Sequence, residues 1–181
     1  HSTLLSSTTF SNMQEDEAGP SNGITKKPSA SHDSVDESQF IMEHILSTDI
    51  ITRDQAIELI SFFYFKLNPI IALLDPQLYT IDTLLSDHHR LLLASICTAS
   101  AKFCIPDTYL RLLSFLEAPL TKISSQDIAP KHDYVLALSI LAMWKHPEDG
   151  TSWRKLRLAV TIALELGLQH TFNEVFANSA R

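Results

Sequence analysis

Residues 153–168 read WRKLRLAVTIALELGL, and their spacing constrains the chain more than any other stretch. Arg154, Arg157, Thr161 and Glu165 follow one another at steps of three, four and four, a narrow polar stripe along one helix. Apolar residues fill most of the remaining circumference, with Ala159, Ala163 and Leu166 recurring at helical spacing. A helix of that kind is expected to be buried on several sides of an all-α core. Thr151 and Ser152 supply oxygens where a helix start has unpaired N–H groups. Gly167 stands where a helix end favours the left-handed conformation. Trp153, leading the helix, is expected to pack inward, so that truncation to Ala costs about 3–5 kcal/mol.

The rest of the composition agrees with a helical reading. Four glycines in 181 residues argue against an all-β design or a glycine-rich phosphate loop. The net charge of −7 opposes direct gripping of a phosphate backbone, which needs clustered Lys and Arg. No apolar run approaches the roughly 20 residues of a membrane span. Neither a signal peptide nor a disulfide framework is expected, with two cysteines only, Cys97 and Cys104.

Residues 1–40 are Ser/Thr-rich and acidic, broken by Gly19-Pro20, Asn22-Gly23 and Pro28. Burial there is too sparse to offset the entropy of ordering, so the segment is expected to be a disordered linker. Residues 41–181 are expected to be helical. Thr52 and Gln55 form a capping-box pair for a helix that should end at Asn68-Pro69. Phe62 to Phe65 are four aromatics in a row, which cannot all face one side. Asp75-Pro76 marks a turn or a helix start. A core helix is expected over 88–103, with Leu92, Ile96, Ala99 and Phe103 on one face. Another should run from Pro106 to Pro119, with 120–131 as a connection. A third spans 132–145, and the 148–150 loop leads back to the stretch at Trp153.

Chemistry is scarce in the pattern. His88 and His89 are adjacent and point apart on a helix. Cys97 and Cys104 lie two turns, about 10 Å, apart, too far to share a zinc with both sulfurs at about 2.3 Å. No metal, cofactor or catalytic residues are therefore expected in this chain, and no enzymatic activity. Arg154, Lys155 and Arg157 crowd a helix start, where cations oppose the dipole. They read as a solvated face balanced by Glu148 and Asp149, or as a contact for an acidic partner.

Trp153 followed by A-x-x-x-A-x-x-L-G-L (Ala159, Ala163, Leu166, Gly167, Leu168) resembles the fungal-specific transcription factor domain, the middle homology region of binuclear zinc-cluster regulators. The run from Phe62 through Asn68-Pro69 and Asp75-Pro76, and the small residues of the 88–103 helix ending Ala101-Lys102-Phe103, are similar to it as well. The resemblance implies that 41–181 is the N-terminal part of a helical regulatory domain in a nuclear protein. It implies control of RNA polymerase II transcription in cis to an upstream zinc cluster. DNA binding and zinc would belong to that six-cysteine module, which these residues do not contain. Homodimers and transcriptional co-regulators are the partners it implies, with no membrane. From another class comes the alternative, a helical protein-interaction scaffold with no DNA-related role.

Overall fold

The computed structural model describes residues 42–125 and 128–170. The linker expected over 1–40 lies outside the described residues. Among those described, the regular elements are all helical: α1 (Arg53–Phe62), α2 (Asn68–Ile71), α3 (Ile81–Leu84), α4 (Arg90–Cys104), α5 (Pro106–Ser124), α6 (His132–Met143) and α7 (Ser152–Glu165). The all-α reading of the sequence is what the structure shows.

The centre of the core is α4, not the helix at Trp153. Every residue from Leu91 to Ala101 is buried. Small side chains allow this, because α1, α5 and α6 all pack against it. The hydroxyls of Ser95 and Thr98 donate to the carbonyls of Leu91 and Ala94, so neither is left unpaired by burial. Phe103, expected on the core face, is 51 % exposed and stacks instead on Phe62 with ring centroids 6.2 Å apart.

The capping box forms as expected. Gln55 N–H donates to Thr52 Oγ1 at 3.2 Å, and Thr52 N–H to Gln55 Oε1 at 2.9 Å. The end of that helix departs from the expectation. After Phe62 the backbone widens into one π-helical turn, Phe63–Leu67, and continues into α2 through Asn68-Pro69. The wider turn sends Phe63, Leu67 and Asn68 inward together and leaves Phe65 outside. Asn68 holds a helical conformation despite the following proline, because its side chain is anchored. Its amide donates to Leu74 O at 2.7 Å and accepts from Leu74 N–H at 3.0 Å. The chain then reverses at Ala72, which is left-handed at φ 46°. Asp75-Pro76 is a turn, with Gln77 N–H donating to the Asp75 carboxylate.

Proline also failed to end α5, which runs through Pro119 to Ser124. Tyr109, Leu112, Leu116, Pro119 and Ile123 are all buried at helical spacing on both sides of the proline. Their packing offsets the one backbone hydrogen bond that Pro119 cannot donate. Helix α6 begins at His132 as expected and packs between α4 and α7.

Helix α7 corrects the reading from which the sequence analysis began. It leans on α6, and its only fully buried residues are Ala159 and Ile162. Trp153 is 56 % exposed rather than packed inward, so its truncation does not remove a buried side chain. The helix carries apolar residues on two opposite faces, and only one is covered. Thr151 and Ser152 make no side-chain cap, because the Thr151 hydroxyl is directed to Asp149 instead. Gly167 is left-handed at φ 68°, and its N–H closes on Leu164 O at 3.0 Å. A Cβ there would meet nothing nearer than His170 at 3.8 Å, so the cost of a side chain is one of backbone conformation. Gly167→Val is expected to lower stability by about 1–2 kcal/mol in urea denaturation.

Candidate functional site

The cations singled out in the sequence, Arg154, Lys155 and Arg157, lie with Glu148 and Asp149 at one corner, where the α6–α7 loop meets the start of α7. Asp149 is its hub. The Thr151 N–H and hydroxyl both donate to Asp149 Oδ1, and Lys155 Nζ donates to Oδ2 at 2.5 Å. The same ammonium reaches Thr151 Oγ1, and Lys145 Nζ donates to the Asp149 carbonyl. Neighbouring helices hold the loop as well. Lys102 of α4 donates to Lys145 O, and Tyr109 of α5 stacks on His146.

Partial burial pushes the Asp149 carboxyl up, but the hydrogen bonds from Lys155 and Thr151 and the Lys155 charge outweigh it. They hold the group at about 2, below its ordinary value of 3.8. A carboxyl with a depressed value stabilises the fold above its unfolded pKa and loses that contribution as pH falls through the folded one. Asp149→Asn should therefore cost about 1–2 kcal/mol near neutral pH. Denaturation at a series of pH values should show the difference shrinking below pH ~4 and vanishing near pH ~2.

The three cations at the start of α7 thus divide. Lys155 turns in to Asp149. Arg154 and Arg157 lie over the Trp153 ring, their guanidinium carbons 5.5 and 5.8 Å from its centroid. Neither has a carboxylate partner among the described residues. Balance by Glu148 and Asp149 therefore covers one cation of the three. Of the motif residues, Ala159 is buried, Ala163, Leu166 and Leu168 are half-buried, and Gly167 turns the chain.

Between α7 and the second half of α5 lies an open groove of about 990 Å³. Leu113, Leu120, Leu138 and Leu158 give it an apolar floor, while Glu117, Arg154 and Arg157 stand at its rim. Sequence reasoning missed the α5 wall because it ended that helix at Pro119. The period carried by Leu116, Leu120 and Ile123 was the signal that could have found it.

A second polar cluster ties the 79–90 segment to the start of α6. His89 Nδ1 pairs with Asp133 Oδ2 at 2.6 Å, and Tyr79 Oη with His132 Nδ1 at 3.1 Å. Tyr64 donates its hydroxyl to Tyr79 O, and burial, with Tyr79 and Asp75 nearby, pushes that hydroxyl up to about 12. It therefore stays a donor at neutral pH. Among the described residues no hydroxyl or thiol hydrogen-bonds His89 from the other side. Cys97 is fully buried and burial pushes its thiol up to about 12, far from the reactive thiolate range. Among the described residues no group of three His, Cys, Asp or Glu side chains is placed to hold a metal ion. No described helix is long and apolar enough to cross a membrane.

The described residues therefore form an all-helical unit with a charged corner at the start of α7. No family model, curated protein or solved structure matches the chain.

Proposed function

We propose that this chain is the linker and first part of the regulatory domain of a fungal zinc-cluster transcription factor. It modulates RNA polymerase II transcription in the nucleus, in cis to an upstream DNA-binding module. The observation that carries the reading is the A-x-x-x-A-x-x-L-G-L run, whose parts have separate structural jobs. Ala159 seats the helix on its neighbour, and Gly167 ends it in a left-handed turn. Zinc and base contacts belong to the upstream six-cysteine module in this reading. With a net charge of −7 and only two arginines free of carboxylates at the α7 corner, the 181 residues should not bind duplex DNA specifically. Fluorescence anisotropy at physiological salt checks this, and specific affinity below about 1 µM contradicts it.

The regulatory role itself is tested by placing residues 40–181 between a heterologous DNA-binding domain and an activation domain. Removing the segment should change reporter output in at least one nutrient condition. Output unchanged in all conditions favours the alternative, a helical interaction scaffold unconnected with DNA, for which the open α5–α7 groove provides a surface.

A further inference from the structure

Helices α5 and α7 wall the open groove and rest on different neighbours, α5 on α4 and α7 on α6. On the α5 wall Leu113, Glu117, Leu120 and Ser124 follow one another at steps of four, three and four. That spacing keeps them on one helix face for three turns, about 17 Å. On the α7 wall Arg154, Arg157, Leu158 and Thr161 line the groove over two turns, about 11 Å. An enclosed pocket suits a small molecule, which is held over most of its surface. A long, open groove with leucines at its floor suits the apolar face of one more helix. The walls differ in charge. Among the described residues neither arginine of α7 has a carboxylate partner, and Glu117 of α5 has no cation partner. Lys155 is already neutralised by Asp149.

We propose that the groove docks an acidic amphipathic helix of a partner protein, with its apolar stripe on the leucines and its carboxylates on Arg154 and Arg157. Both guanidinium groups already lie over the Trp153 ring, so they lose less freedom on pairing. Each presents N–H donors that match a carboxylate. Glu117 sets the orientation, because it repels carboxylates from the α5 side and leaves the acidic edge along α7. Charge is what selects this partner. A basic helix would set like charge against both arginines, and an uncharged one would cover them without a counter-ion. Docking of this kind is independent of any role in transcription, so the reporter test and the binding test can fail separately.

The probe is a fluorescein-labelled peptide of about 14 residues, with leucines at i, i+3, i+4 and i+7 and glutamates along one flank. A contact of this length lies at the small end of specific interfaces, so fluorescence polarisation with the intact chain should give a Kd of about 10–100 µM. The same peptide with Lys for each Glu should bind about tenfold more weakly or worse. Arg154→Glu combined with Arg157→Glu should invert that preference, and the milder pair Arg154→Gln with Arg157→Gln should abolish it. Glu117→Lys, on the opposite wall, should tighten the acidic peptide by about threefold or more. All three positions are exposed, and circular dichroism checks that the variants keep the fold. No binding of the acidic peptide below about 1 mM, or equal binding of the two peptides, overturns the proposal. Binding indifferent to the arginine variants does so as well. Binding that needs the arginines but ignores Glu117→Lys puts the peptide outside the groove, and overturns it equally.

Discussion

Phe63→Ala is expected to lower the free energy of unfolding by about 3–5 kcal/mol, a large share of what holds a domain of this size together. Phe63 is fully buried at the start of the π-helical turn, which joins α1 to α2 and packs against α4. The turn is locked by the Asn68 N–H donating to the Phe63 carbonyl, so the backbone cannot readily collapse into the space an alanine leaves. Phe65→Ala, two residues on, is the control. That ring is 76 % exposed with only the Lys66 ammonium over its face, and its loss should change stability by less than about 1 kcal/mol. Urea denaturation of the two variants reads the contrast as a large shift in midpoint against almost none.

Asn68→Ala should follow closely, at about 2–4 kcal/mol. The Asn68 side chain satisfies both the N–H and the carbonyl of Leu74 in a buried position. Alanine would leave a donor and an acceptor without partners where water has little access. It would also release the loop that reverses the chain at Ala72. Leu74 amide exchange, measured by hydrogen–deuterium exchange, should rise in step with the loss of stability. Slow exchange retained at Leu74 would show that the loop finds another anchor.

What could be read from the sequence was local. Thr52 and Gln55 are three residues apart and cap the same turn. Gly167 meets a requirement of the backbone at its own position. The start of α6 at His132 follows from an apolar run bounded by a break. Where tertiary packing decides, the sequence pattern misled. Proline ordinarily ends a helix, but at Asn68-Pro69 a buried anchor and at Pro119 a continuous apolar face outweigh it. The periodicity of α7 showed an apolar circumference but not which side the neighbours would cover. Trp153 therefore turned out on the open side, and α4 took the central place. Contacts between distant residues had no signal at all: His89 and Asp133 are 44 residues apart, and Tyr79 and His132 are 53 apart. Of the α7 corner, the cations and Asp149 were legible, but the division of labour among them was not. It depends on Lys155 pointing back toward the loop while both arginines lie over Trp153.

The proposal that residues 40–181 regulate in cis requires that their effect depend on the fold and not merely on the length they insert. The most direct measurement compares reporter output from three fusions between the same DNA-binding and activation domains. One carries the intact segment, one lacks it, and one carries Ile140→Asp, which buries a carboxylate in a fully packed position of α6. The account predicts that the Ile140→Asp fusion matches the deletion and differs from the intact segment in the same nutrient condition. Output from Ile140→Asp equal to that of the intact segment, with protein levels matched, would contradict it.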